Sequence, residues 1–151
     1  LTSEYAIKDN LQEEMLRILL KRFIILCTRI AREKFSVSPE REKAFDMVRQ
    51  FYVLVDNHFK EKKMVQDYAD MLHRSPKTLS NLFTTCGLPS PLRIIHERIE
   101  AEAKRLLLYS QKSAKEITEI LGFEDQATFS RFFKKMTGES VSEYRKREKQ
   151  E

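Results

Sequence analysis

The chain has 151 residues, of which 41% are hydrophobic and 34% charged, and its formal net charge is +5. This length suits one or two small domains, and only 3 Gly and 4 Pro disfavour a many-stranded sheet. The longest apolar run, Phe23 to Cys27, is far shorter than the ~20 residues that a membrane span needs, and no signal peptide is visible. We therefore expect a reduced, cytoplasmic protein without a membrane segment, in which Cys27 and Cys86 have packing roles.

A long helical pattern runs from about residue 3 to residue 34. Apolar side chains recur there at threes and fours, and they are Leu11, Met15, Leu19, Phe23, Leu26 and Ile30. Ile18 and Ile25 widen this surface, so a lone helix has to bury more than one side. It either packs against the rest of the chain or forms a homodimer through the positions above, and both interpretations stay open. Because the chain begins at Leu1 rather than Met, we expect residues 1–36 to end a longer upstream part.

The remaining domain, residues 37–151, is predicted to be all-α. An N-cap serine, followed by proline or by a glutamate at the third helical position, marks most of the helix starts. These serines are Ser38, Ser75, Ser90, Ser113 and Ser140. Gly122 and Gly138 stand where helices are expected to end. The predicted helices run at about 39–60, 64–72, 76–86, 91–110, 114–121, 126–136 and 141–149.

Two segments of this domain, 64–86 and 114–136, repeat each other. Each predicts a short helix, a tight turn and a second helix that combines an apolar rib with a polar face. The ribs consist of Leu79, Leu82 and Phe83 in one repeat and of Phe129, Phe132 and Phe133 in the other. A polar face on one amphipathic helix is commonly just solvated. Its duplication on corresponding helices instead predicts two helix-turn-helices that contact two successive turns of DNA.

The polar faces carry short hydrogen-bonding side chains of the kinds that reach base edges. Arg131 can bond guanine with two hydrogen bonds, and Asn81 can bond adenine in the same way. Lys134 and Lys135 suit phosphate contacts at the edge of the groove. The helix N-terminus at Ser75 can present backbone N–H groups to a phosphate.

A specific sequence signature lies in and around the second repeat, with further parts in the first repeat and in the segment between the two. It consists of Ala114–Ile117, Leu121–Phe123, Asp125–Lys135, Thr137-Gly138 and Glu143–Arg145, preceded by Tyr68-Ala69, Leu79-Ser80 and Ala103–Leu107. With these residues, segment 45–147 resembles the C-terminal DNA-binding domain of the AraC/XylS family of bacterial transcription regulators. It departs from the family pattern at Gly87, which comes one position early, and at Val141, where a proline is usual. Asn81 stands where an arginine is often found.

The resemblance implies seven helices, with two helix-turn-helices bridged by the 91–110 helix and recognition helices at about 76–86 and 126–136. The base-contacting residues that it implies are Lys77, Ser80, Asn81, Gln126, Thr128 and Arg131. The phosphate-contacting residues are Ser75, Thr84, Lys134 and Lys135. It also implies a cytoplasmic bacterial regulator that binds double-stranded DNA, forms a homodimer through its N-terminal helix, follows a sensor domain and can contact RNA polymerase.

No catalytic site is expected from these residues. His58, His73 and His96 lack partners at metal-ligand spacing, and no phosphate loop or hydrolase motif occurs. We therefore predict no enzymatic activity, no cofactor and no metal. The alternative function is a basic helical interaction module that binds an acidic protein or RNA. RNA binding would favour exposed aromatic rings, whereas the Phe residues lie on the ribs that we predict to be buried.

Overall fold

The computed structural model describes residues 15, 18–27, 30 and 38–148. The chain divides into two compact units, residues 1–42 and 43–151. In the first unit, the described residues 15, 18–27 and 30 are helical, as the apolar pattern predicts. Leu11, the two ends of the predicted N-terminal helix and the predicted domain boundary after residue 36 lie outside the described residues. These inferences therefore stay predictions.

Seven helices occupy the described residues from 39 to 148, and none of these residues lies in a strand. They are α1 (Pro39–His58), α2 (Val65–Met71), α3 (Pro76–Thr85), α4 (Pro91–Tyr109), α5 (Ala114–Ile120), α6 (Gln126–Thr137) and α7 (Val141–Glu148). Their order confirms the predicted all-α fold, with a first helix-turn-helix (α2 and α3) and a second one (α5 and α6) joined by α4. The described ends lie within about two residues of the predicted ones.

Side-chain hydrogen bonds cap the first turns of the helices at the positions that the sequence predicts. The Ser75 Oγ accepts a hydrogen bond from the Thr78 amide at 3.1 Å. At α5, the Ser113 Oγ accepts from the Glu116 amide at 3.2 Å, while the Glu116 carboxylate accepts from the Ser113 amide at 2.7 Å. Serine hydroxyls also accept amide hydrogen bonds at the starts of α1, α4 and α7. The predicted N-caps are thus confirmed, and one orphan N–H group of each of these first turns finds a side-chain partner.

The helices of the second compact unit surround one apolar core. Its buried members include Phe51, Val55, Tyr68, Leu79, Phe83, Ile95, Ile99, Ala103, Ile117, Leu121, Phe129 and Phe133. The Phe51 ring centroid lies 5.5 Å from that of Tyr68 and 5.0 Å from that of Phe83, which joins α1 to the first helix-turn-helix. Helix α4 packs against α3, α5, α6 and α7. The second helix of each helix-turn-helix, α3 and α6, is therefore supported by the same long helix.

The first helices of the two helix-turn-helices end in the same way, although different residues form the two ends. In the first, the Arg74 amide donates to the Ala69 carbonyl at 2.8 Å, and His73 has a φ of 53°. In the second, the Phe123 amide donates to the Thr118 carbonyl at 3.0 Å, and Gly122 has a φ of 66°. This bonding pattern, with a left-handed residue after the helix, is a Schellman motif. The repeat seen in the sequence is therefore also a repeat of backbone geometry.

Hydrogen bonds of Lys63 hold the loop after α1 against the turn of the second helix-turn-helix. The Lys63 ammonium donates to the Lys60 carbonyl at 2.6 Å and to the Gly122 carbonyl at 2.7 Å. It also lies 5.0 Å from the centroid of the Phe123 ring. A Cβ atom on Gly122 would lie 2.0 Å from the Lys60 carbonyl oxygen, so only glycine fits this contact. The sequence predicted a helix stop at Gly122 but not this contact, which joins residues far apart in the chain.

We expect Gly122→Ala to destabilise the protein much more than Gly87→Ala. Both glycines have a positive φ, but a Cβ on Gly87 would meet nothing within 4 Å. Gly87→Ala should lower the free energy of unfolding by about 1–2 kcal/mol, the cost of a left-handed alanine. Gly122→Ala should lower it by about 3–5 kcal/mol, because it also displaces the charged hydrogen bonds of Lys63. Urea unfolding of the two variants measures the difference, and equal losses would contradict the close approach.

Candidate nucleic-acid interface

Helix α3 buries its predicted rib and exposes its predicted polar face. Leu79 and Phe83 are fully buried in the core, and Leu82 is half-buried. The residues of this helix that the sequence predicted to contact DNA, namely Lys77, Ser80, Asn81 and Thr84, are all exposed. Its polar side is therefore accessible to a ligand over the length of the helix.

Helix α6 has the same division. Phe129 and Phe133 are fully buried, and Phe132 is half-buried. Its predicted contact residues Gln126, Arg131, Lys134 and Lys135 are exposed, whereas Thr128 is half-buried. Two corresponding helices thus present polar surfaces to solvent, and neither surface is packed inside the protein.

Two of the predicted phosphate contacts already have hydrogen bonds within the protein. The Ser75 Oγ caps α3 and lies 2.8 Å from the Thr78 Oγ1. The Thr84 hydroxyl donates to the Ser80 carbonyl at 2.9 Å. A hydroxyl has a single proton to donate, so Thr84 has to turn away from its own helix before it can donate to a phosphate. Lys134 and Lys135 are exposed, so their position in the fold leaves their ammonium groups accessible to a phosphate.

A chain of hydrogen bonds runs along the first two turns of α6. The Asp125 carboxylate accepts from the Thr128 amide at 2.7 Å, as expected for an N-cap. It also accepts from the Thr128 hydroxyl at 3.1 Å. The same hydroxyl oxygen accepts from the Arg131 guanidinium at 3.2 Å. Sequence reasoning missed this connection from Asp125 to Arg131, although the spacing of three residues places all three side chains on one side of the helix.

The hydrogen bonds to Asp125 also affect its ionisation. The Thr128 amide, followed by the Thr128 hydroxyl, holds the pKa of the Asp125 carboxyl below its usual range, and the charge of Arg131 acts in the same direction. The carboxylate is thus ionised at neutral pH and accepts hydrogen bonds only. The ionised Asp125 carboxylate therefore fixes the direction in which the Thr128 hydroxyl donates its proton.

His96 connects α4 to the second recognition helix. Its ring centroid lies 5.3 Å from that of Phe132, in an edge-to-face arrangement. Partial burial lowers the pKa of His96, and the charge of Lys135 lowers it further. The sequence showed only an isolated histidine, because nothing local indicates that α4 and α6 cross at this residue.

The N-terminal helical residues present a broad apolar surface. Of the predicted dimerisation positions, Leu19, Phe23, Leu26 and Ile30 are exposed, with 63% of the surface of Phe23 accessible, and Met15 is half-buried. Contiguous exposed apolar surface of this kind commonly marks an interaction site. Homodimerisation through this segment stays a prediction.

The described part of the chain offers neither a metal-binding cluster nor a membrane-spanning helix. No group of three or more His, Cys, Asp or Glu side chains there could hold a metal ion. None of the described helices has the length and apolar character to cross a membrane.

Known proteins resemble this chain in sequence and in structure. A family model described as a helix-turn-helix domain matches residues 68–147. The HTH-type transcriptional regulator YisR of Bacillus subtilis is 30% identical over 122 residues, which cover 80% of this chain and 41% of YisR. The arabinose operon regulatory protein of Salmonella typhimurium is 36% identical over 92 residues, which cover 61% of this chain and 31% of that protein. This chain therefore spans less than half the length of either relative.

A solved structure has the same arrangement of helices. The C-terminal domain of AraT, a response regulator from Geobacillus stearothermophilus, superposes with a TM-score of 0.61 at 28% sequence identity. The match covers 73% of this chain and 86% of that domain. The similarity thus includes both helix-turn-helices and not only a single pair of helices.

Proposed function

The chain belongs to the AraC/XylS family of bacterial transcription regulators, and we propose that it regulates transcription by binding double-stranded DNA at specific sequences. Helices α3 and α6 are its recognition helices, and each enters one of two successive major-groove segments. The observation that carries this proposal is the duplicated geometry. Two helix-turn-helices, in which the first helix ends in the same motif, bury the apolar rib of the second helix and expose its polar face.

Six side chains on these faces form the base-recognition set. They are Lys77, Ser80 and Asn81 on α3, and Gln126, Thr128 and Arg131 on α6. Arginine pairs with guanine, and asparagine or glutamine pairs with adenine, through two hydrogen bonds in the major groove. Ser75, Thr84, Lys134 and Lys135 contact phosphates, which sets the position of the helices without distinguishing bases.

The alternative, a module that binds RNA or an acidic protein, lacks support from α3 and α6, because the exposed aromatic side chains of the described residues, Phe23, Phe45, Tyr52 and Tyr109, lie elsewhere. Single-stranded RNA binding relies on aromatic rings that stack on bases. The rings of Phe129 and Phe133 are fully buried, and Phe132 packs against Phe123 with ring centroids 5.3 Å apart. The family to which the chain belongs also favours duplex DNA.

Selection from a pool of random DNA duplexes tests the function directly. The enriched sequences should contain two constrained segments whose centres lie about 10 base pairs apart, because adjacent major-groove segments on one face of B-DNA have this spacing. Enrichment of no sequence, or stronger retention of an RNA competitor than of the selected duplex, would refute sequence-specific DNA binding.

Arg131 and Lys135 provide a matched pair of variants on α6. Arg131→Ala should weaken binding to the selected duplex by about 1–3 kcal/mol and relax the preference at one base pair. Lys135→Ala should weaken binding to selected and random duplexes alike, because a phosphate contact carries no sequence information. Titration of each variant against both duplexes at one fixed salt concentration measures these effects. Equal losses on both duplexes for Arg131→Ala would contradict its role in base recognition.

The N-terminal helix supports a further part of the proposal, which is homodimerisation through Leu11, Met15, Leu19, Phe23, Leu26 and Ile30. Exposed Leu19, Phe23 and Leu26 give this helix an apolar surface that a second copy would cover. The full chain should sediment as a dimer at micromolar concentration, and Phe23→Gln should shift it toward monomer while Arg22→Gln does not. A monomer of the unaltered chain under these conditions would instead favour packing of this helix against its own chain.

The remaining parts of the proposal rest on family membership. Residues 1–36 follow a sensor domain in a longer protein, residues 37–151 form the DNA-binding domain, and the protein acts in the bacterial cytoplasm. Recovery of RNA polymerase on the selected duplex only in the presence of the protein would support a contact with the polymerase. That the chain is not an enzyme and needs no cofactor stays a prediction.

A further inference from the structure

We propose that Thr128 is a positioning residue, whose hydroxyl group, held by Asp125, keeps the Arg131 guanidinium over the first turn of α6 in the place where it contacts a base. This inference rests on the proposed function and specifies how α6 achieves base recognition. It assigns to Thr128 a role through Arg131 in place of a contact of its own.

The hydrogen-bonding capacity of Thr128 supports this role. Its single hydroxyl proton goes to the Asp125 carboxylate at 3.1 Å, and its oxygen accepts from Arg131 at 3.2 Å. Thr128 is also half-buried. No proton is left for a base acceptor, whereas the guanidinium group of Arg131 has five N–H donors and uses one of them here. The remaining donors suffice for the two acceptors of a guanine.

The direction in which the Arg131 side chain points also supports the positioning role of Thr128. Side chains of a helix lean toward its N-terminus, and the bond to Thr128 holds the guanidinium over the turn that begins at Gln126. The N-terminal residues of a recognition helix are those that meet base edges. The network thus brings the charge of Arg131 from the second turn to the end of α6 that enters the groove.

Helix α3 has the corresponding residues but lacks the complete network, which makes it an internal control. Ser75 and Thr78 occupy the positions of Asp125 and Thr128, and their hydroxyl oxygens lie 2.8 Å apart. The position of Arg131 is taken by Asn81, and within residues 38–148 no hydrogen bond joins Thr78 to Asn81. The same threonine substitution on α3 therefore removes a hydroxyl near a helix N-terminus without releasing a base-contacting side chain.

The experiment compares Thr128→Val with Thr78→Val in the full chain, using the duplex selected above and single-base variants of it. Thr128→Val leaves the backbone cap intact, because that bond comes from the Thr128 amide. It should reduce discrimination at the base pair assigned to Arg131 by about 2- to 10-fold. The reason is that binding then has to order a long side chain that Thr128 no longer holds. The midpoint of thermal unfolding should stay the same, and Thr128→Ser should restore discrimination. Thr78→Val should leave discrimination at every position unchanged.

A double-mutant comparison separates positioning from direct contact. In an Arg131→Ala background, Thr128→Val should have no further effect on discrimination. A further loss there would show that Thr128 contacts a base itself and would overturn the inference. Unchanged discrimination in Thr128→Val, together with a loss in Arg131→Ala, would also overturn it while leaving the proposed function in place. Unchanged discrimination in Arg131→Ala would instead count against base recognition by α6.

Discussion

Packing on α4 is the interaction on which the rest of the domain depends. The first helices of the two helix-turn-helices, α2 and α5, have seven residues each, and isolated helices of this length are not stable in water. They persist because apolar side chains bury against neighbours, with each large side chain contributing about 1.5–3 kcal/mol. Ile95, Ile99 and Ala103 on α4 are fully or almost fully buried. The same helix therefore supports both recognition helices, and the polar surfaces that we assign to DNA exist because the opposite ribs are buried.

The turns show how two copies of one motif can differ in sequence and agree in geometry. A left-handed residue follows the first helix in each, and His73 occupies in one turn the place of Gly122 in the other. His73 is exposed, so the first turn requires only a residue that tolerates positive φ. Gly122 approaches the Lys60 carbonyl and is bonded by Lys63. The neighbouring loop, and not the motif itself, thus decides which amino acid can stand at this position.

Local features of the fold could be predicted from the sequence, because their causes lie within a few residues. Serine caps and apolar spacing indicated the helix starts and ribs, as at Ser113 and Glu116. Contacts between distant segments could not be found in this way, among them Lys63 with Gly122 and His96 with Phe132. The candidate site could be predicted only in part. Its exposed side chains were predicted from helical periodicity, while their hydrogen-bond partners depend on rotamers that a sequence pattern does not specify.

The close approach at Gly122 has a consequence for how this gene can vary. Every other amino acid at this position carries a Cβ atom that would lie 2.0 Å from a backbone oxygen, so no missense change in the codon is mild. At Gly87 and Gly138 a Cβ would meet nothing within 4 Å, and substitutions there meet only backbone strain. The tolerance of the chain to mutation is therefore unevenly distributed over its three glycines. Substitution at two of them costs backbone strain alone, whereas at the third it adds a collision with the backbone of another segment.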